Sequence, residues 1–280
     1  MLVVLNGYDW IGQALLNSDS VCRFPVVHIE TTQCMRQMAV LVENDAPGFE
    51  YAGDRYQLRD CQAIYCGHAA QPTHYTSSIC QYNADKTYMY SAWSAWLRYW
   101  CVRIPRRVGV LPDTLWLGTL LHLPALYKRA SAFGFMVPSL QFSTQVPMVL
   151  PEQVGSGWYG LDSARPTCID DFGSISGSKR IAVQYDVGHW LQLLVVGTVV
   201  MALRLHDDGC WHRYDLPVFI QRLIVKLVVS YDLAIATVLL RKGHADVYRL
   251  YALDWHIPSV FQLYYSQDVL DAVKERLYDD

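Results

Sequence analysis

Lysine is scarce in this chain: six residues in 280, at positions 86, 128, 179, 226, 242 and 274. Lysine and arginine together number 23 against 26 acidic residues, a formal net charge of -3. A dedicated binder of nucleic acid or anionic membrane needs a basic face, so neither partner is expected. Three catalytic signatures are also missing. There is no G-x-S-x-G nucleophile elbow, no H-E-x-x-H, and no lysine placed after a glycine loop, which leaves hydrolase, zinc-protease and P-loop chemistry without a motif. Long apolar runs are lacking as well. Residues 191–205 and 218–240 are interrupted by Gln192, Arg222, Lys226 and Asp232, and neither offers the roughly 20 apolar residues of a membrane span. Residues 1–5 carry no basic lead and no long apolar continuation, so no secretory signal and a cytoplasmic protein are expected. The eight cysteines are scattered through a chain too large to need disulfide staples, which predicts reduced thiols. Cys61, Cys66, His68 and His74 form the one local cluster, but their spacing matches no standard zinc knuckle.

Apolar residues make up 52% of the sequence, enough for a sizeable core in one large or two modest domains. The nineteen tyrosines can leave amphipathic surface for a partner or peptide, but part-buried core positions are the plainer expectation, because a tyrosine hides its ring while its hydroxyl finds a partner. Residues 1–110 read as a small α/β domain. Strands are expected at 2–5, 25–29, 38–42, 56–58 and 63–66, with a helix at 11–16. A second helix over 91–101 would line Trp93, Trp96, Leu97 and Trp100 on one face. Residues 103–113, with three arginines, two prolines and a glycine, read as a connector.

The stretch 181–258 is the densest in structural signals. Short apolar runs broken by single glycines (181–185, 191–196, 199–205) predict buried strands joined by tight turns. Asp215-Leu216-Pro217 reads as a helix start with a capping carboxylate, and Phe219, Leu223, Ile224, Leu227 and Val228 fall on one helical face. Strands at 233–240 and 247–253 close an α+β module with an antiparallel sheet. A last helix over 268–278 would bury Val269, Leu270, Val273 and Leu277.

Several motifs in this order carry a resemblance. They are Leu126 to Ala130 running into Gly134-Phe135-Met136-Val137-Pro138, the glycine-rich turn Gly155-Ser156-Gly157, and Gln184-Tyr185. The hairpin Val195-Val196-Gly197-Thr198-Val199-Val200-Met201-Ala202-Leu203-Arg204 and the close Asp254-Trp255-His256-Ile257-Pro258 complete the set. Together they resemble the ATP-grasp superfamily, of the glutathione synthetase-like and peptide-modifying carboxylate-amine ligase type. The resemblance implies a small N-terminal α/β domain (1–110) like those that precede the grasp, and an ATP-grasp-like domain (111–280). It implies ATP and magnesium as cofactors. Arg204 would contact phosphate, Lys179, Gln184, Gly155 and Gly157 would face the nucleotide, and Asp254 and His256 would hold metal.

The motifs also depart from the family pattern. No lysine stands near 148–150, and Trp190-Leu191-Gln192 occupies the place of D-x-R. The acidic metal ligand expected near 237–239 is absent, and Asp254-Trp255-His256 replaces E-x-N. Two functions therefore stand side by side. One is a divergent ligase acting on a peptide or amino acid. The other is a catalytically inactive ATP-grasp-like subunit that holds a peptide or a partner enzyme. Either could be an oligomer.

Overall fold

The computed structural model of the chain describes residues 1–5, 7, 9–17, 24–29, 38–41, 48–67, 95, 99, 103–104, 106–109, 123–142, 156–161, 181–186, 188–243, 246–254 and 257–278. These fall into two compact units, 1–115 with 233–235 and 261–280, and 116–232 with 236–260. The C-terminal helix falls in the first unit, where the Tyr278 ring lies 5.4 Å from that of Phe24.

The first unit is built on strand β1 (Leu2–Leu5), helix α1 (Trp10–Leu16) and strand β2 (Val26–Ile29), followed by the antiparallel meander β3 (Met38–Leu41), β4 (Gly48–Tyr51) and β5 (Asp54–Gln57). Strands β6 (Ala63–Cys66) and β7 (Arg106–Gly109) complete a four-stranded parallel sheet in the order β2-β1-β6-β7. All four residues of β1 are buried, because a central parallel strand is covered on both faces. Phe49 and Tyr51 of the meander join Val3, Leu5, Ile29 and Ile64 in one apolar core. The meander turns at Ala52-Gly53, both at positive φ (54° and 90°), as a two-residue hairpin demands.

Helix α1 starts at Asp9, whose Oδ1 accepts from the Gly12 N–H at 2.8 Å and from the Tyr65 hydroxyl at 2.7 Å. A Cβ on Gly12 would lie 2.4 Å from the Gly7 Cα, so the turn after β1 packs directly on the helix and only glycine fits there. Strand β7 corrects the reading of 103–113 as a connector: Arg106 and Arg107 sit in the sheet, paired with Ala63 and Ile64. The helix expected at 91–101 lies almost wholly outside the described residues.

The second unit holds helix α2 (Leu123–Ala132), a three-stranded antiparallel sheet and a five-stranded one. The smaller sheet, ordered β8-β10-β9, is made of β8 (Leu140–Phe142), β9 (Ser156–Leu161) and β10 (Ile181–Asp186). The larger, ordered β13-β12-β11-β14-β15, is made of β11 (His189–Val196), β12 (Val199–Leu205), β13 (Trp211–Arg213), β14 (Ile235–Lys242) and β15 (Tyr248–Asp254). Helix α3 (Val218–Val229) links β13 to β14. It starts from Pro217 with no side-chain cap, and it buries Ile220, Ile224, Leu227 and Val228 while Phe219 is 57% exposed. The apolar stripe is therefore rotated from the one expected, and Asp215 caps nothing.

The larger sheet is bent at its outer pair. Leu239 pairs with Ala252 but Leu240 with Leu250, leaving Tyr251 outside the register as a bulge. Its carbonyl accepts from the buried Tyr127 hydroxyl of α2 at 2.9 Å, so a polar group displaced from the ladder is satisfied by a side chain. Helix α4 (Val260–Tyr278) begins earlier than the expected 268 and is broken at Tyr265, where φ is -136°.

Candidate functional site

Strand β11 is central to the larger sheet, and every residue from Trp190 to Val196 is buried. With a period of two, Trp190 and Gln192 point to one face while His189 and Leu191 point to the other. Neighbouring strands can be assigned by contact. The Arg241 guanidinium of β14 lies over the Trp190 ring, 4.6 Å from its centroid. Arg241, Leu239 and Thr237 therefore share the face of Trp190 and Gln192. Thr237 is paired directly with Asp254 of β15, and opposite residues of an antiparallel pair project to the same side.

Gln192, Thr237 and Asp254 thus lie on one face, on three adjacent strands, with Thr237 and Asp254 directly opposite one another. They are 5%, 2% and 4% exposed, and they are the buried polar residues among the described residues. Burying a polar group costs free energy unless it is partnered, so three of them on one side of one sheet mark a place where polar function has displaced apolar packing. Trp190 packs edge-on against Tyr251, with ring centroids 4.8 Å apart, and closes the apolar border beside them.

The donor set is oxygen-rich. Asp254 brings a carboxylate, Thr237 a hydroxyl beside it and Gln192 an amide, all hard ligands of the kind magnesium takes. Magnesium is usually held by one or two carboxylates with substrate phosphates completing its shell, and the Asp254 and Thr237 pair fits that role for a single ion. No cluster of three His, Cys, Asp or Glu side chains able to hold a metal is found among the described residues. Cys61 and Cys66 are buried free thiols, with Cys61 pushed up to about 12 chiefly by burial, while His68 and His74 lie outside the described residues.

The other residues expected in the site fall as follows. Arg204 of β12 pairs with Leu191, and its Nη2 lies 3.0 Å from His189 Nε2. Both partners belong to the opposite face of the sheet, so Arg204 and Asp254 project to opposite sides and do not meet. Gly157 belongs to a strand instead of the expected glycine-rich turn, paired with Tyr185, and the neighbouring pair is Gln184 with Trp158. Gly155, Lys179 and His256 lie outside the described residues. The sequence marks Gln192 as a break in an apolar run and as a departure from D-x-R, and Thr237 only through a missing acidic ligand. The signal that could have found them is alternation: each is a polar residue at an inward position of a strand that is otherwise apolar.

No family model matches the sequence, and no curated protein does. Solved structures match over nearly the whole chain. The macrocyclase MdnC bound with precursor peptide MdnA, from Microcystis aeruginosa MRC, superposes with a TM-score of 0.71 at 10% identity, covering 100% of both chains. The ATP-grasp ligase PsnB complexed with minimal precursor, Mg and ADP gives 0.70 at 13% identity, covering 99% of this chain and 96% of its own. A RiPP-associated ATP-grasp ligase from Chryseobacterium gregarium, in complex with ADP and a leader and core peptide, gives 0.67 at 11% identity over 99% and 96%. A parallel sheet in one unit, a three-stranded and a five-stranded antiparallel sheet in the other, and this agreement along the full length establish that the chain has the ATP-grasp fold.

Proposed function

We propose that the chain is a divergent ATP-grasp carboxylate-amine ligase that acts on a peptide. The observation that carries this reading is the collection of Gln192, Thr237 and Asp254 on one face of the five-stranded sheet. It is supported by the structural neighbours: MdnC is bound with a precursor peptide, the Chryseobacterium gregarium ligase with ADP and a leader and core peptide, and PsnB with minimal precursor, Mg and ADP. The reaction moves the γ-phosphoryl group of ATP to a substrate carboxylate, and an amine then displaces phosphate. Such chemistry rests on positioning and on neutralising charge at the transferring group.

Asp254 supplies the fixed negative charge of the site, and Thr237 an oxygen on the adjoining rung. Magnesium, when bound, offsets the charge of the phosphates. Gln192 offers both a donor and an acceptor without a charge, so it orients a peptide amide or carboxylate by hydrogen bonds alone. On this proposal Gln184, Gly155, Gly157 and Lys179 contribute to the nucleotide side and His256 to the metal side. Arg204, on the opposite face from Asp254, is left out of the phosphate contact.

A second reading is favoured by Thr237, a neutral residue where the resemblance implies a carboxylate. With one acidic ligand fewer, the chain is a noncatalytic subunit that binds a peptide or a partner enzyme. Thermal unfolding with millimolar MgATP separates the two, since a ligand that binds only the native state raises apparent stability by RT ln(1 + [L]/Kd). The ligase reading expects a rise in Tm that Asp254→Asn abolishes. No rise with MgATP in the wild-type chain removes the ligase and leaves the subunit.

A further inference from the structure

The opposite face of the five-stranded sheet carries a second concentration of charge that the proposed nucleotide site does not use. Strand pairing and alternation set one basic or imidazole side chain from each of four neighbouring strands in a row there. The row runs from His212 on β13 through Arg204 on β12 and His189 on β11 to Lys242 on β14. It ends at Tyr248 of β15, the direct partner of Lys242. His206, two residues from Arg204, shares the face and stacks edge-on with His212, ring centroids 4.3 Å apart.

The guanidinium at the centre of this row is short of acceptors. A guanidinium nitrogen only donates, so His189 Nε2 accepts from Arg204 Nη2 at 3.0 Å and the imidazole is held neutral. Burial and then the Arg204 charge lower the His189 pKa, against an upward pull from Asp207. Arg204 Nε is buried without a hydrogen-bond partner, and no carboxylate is ion-paired with Arg204 among the described residues. The neighbouring cation is already matched: Lys242 Nζ is 2.8 Å from Asp246 and lies over the rings of Tyr214 and Tyr248. His206 and His212 are exposed and open to a ligand.

We propose that this row is an oxyanion site, anchored by Arg204, for a phosphate or carboxylate group. The oxyanion supplies the acceptor the guanidinium lacks, since charge-assisted bonds from a guanidinium fork to such oxygens are the stronger class of hydrogen bond. His206 and His212 flank the anion and can offer ring N–H donors to its oxygens. Asp207, the carboxylate whose charge acts on His189, repels an anion and opposes its binding.

The test follows the imidazole resonances of His189, His206 and His212 by NMR, with inorganic phosphate and tri-glutamate as probes. The expected result is a saturable shift of His189 and His206 with one of the probes. Phosphate alone acting identifies a phosphate source, and tri-glutamate alone a carboxylate source. Arg204→Gln weakens the binding by at least about tenfold and Arg204→Lys by less, because lysine keeps the charge without the fork. Asp254→Asn, on the other face, leaves it unchanged, so the outcome is independent of the nucleotide site. The proposal is overturned if neither probe gives a saturable shift, if sodium chloride at equal ionic strength reproduces it, or if a folded Arg204→Gln binds as the wild type does.

Discussion

Replacing Thr237 by aspartate would set a second carboxylate directly across from Asp254, on a rung where both residues are almost fully buried. Side chains on opposite rungs start about 5 Å apart, and two unit charges at that distance repel by about 3 kcal/mol at an effective dielectric of about 20. Thr237→Asn has the same shape as the aspartate without its charge. The difference between the two variants therefore isolates the repulsion from any cost of enlarging the side chain. In urea unfolding with a chelator present, Thr237→Asp should be less stable than Thr237→Asn by about 2–3 kcal/mol.

Magnesium should reverse the order. The restored carboxylate pair is a better hard-oxygen site, and an ion at a hundred times its dissociation constant adds about 2.7 kcal/mol to the native state. The wild-type chain, with one carboxylate and a hydroxyl, should gain much less from magnesium alone. Equal stability of the two variants in chelator would refute the shared face. An equal response of all three proteins to magnesium would refute its role as a metal-binding face.

Other consequences can be measured separately. Gly12→Ala drives a methyl group into the Gly7 backbone and should cost about 1–3 kcal/mol in denaturant unfolding; an unchanged midpoint would mean that the turn after β1 is not packed on α1. Tyr65→Phe removes the bond to the Asp9 carboxylate and should cost about 1.5–3 kcal/mol, as hydrogen bonds to charged groups do. Cys61, pushed up to about 12 by burial, should resist a thiol reagent in the native protein at mildly alkaline pH, whereas exposed Cys210 reacts. Peptide mapping that finds both labelled at the same rate would contradict that environment. His189, with its pKa below the ordinary value in the folded chain, contributes stability that is present above about pH 6.5 and lost as the pH falls through its folded value. Burial is the larger cause and the Arg204 charge the second, so Arg204→Gln should reduce this acid-side loss in part, and an unaltered pH profile would show that the guanidinium adds nothing to burial in keeping the imidazole neutral.

Much of the architecture was legible in the residues. Strands β1 and β6 follow from short unbroken apolar runs beside turn residues, helix α1 from the apolar positions Ile11, Leu15 and Leu16, and the β11–β12 hairpin from two apolar runs around Gly197-Thr198. What escaped was decided by tertiary pairing. Arg106 and Arg107 look like linker residues until β6 is seen to need a neighbour on its free edge. The run Ser156–Leu161 looks like a glycine-rich turn, yet in the sheet its glycines at 157 and 160 pair with Tyr185 and Ala182. Strand β4 gives no signal of its own, because Gly48 and Glu50 break the apolar run in Gly48-Phe49-Glu50-Tyr51.

The candidate site was legible in part for a similar reason. Asp254 stands out by its position shortly before Pro258, whereas motif order alone places Arg204 with it. Alternation along β11 and β14 separates them, because a shift of one residue sends a side chain to the other face. The same alternation brings forward Gln192 and Thr237, whose importance lies in where they point and not in their residue type.

The most direct measurement is calorimetric titration of ATP into the wild-type chain and Asp254→Asn, each with and without magnesium. The account predicts binding in the wild type that strengthens with magnesium, and a variant in which that strengthening is lost. Equal ATP affinity in all four experiments, or no heat of binding in any, would contradict a nucleotide site on the face of Gln192, Thr237 and Asp254.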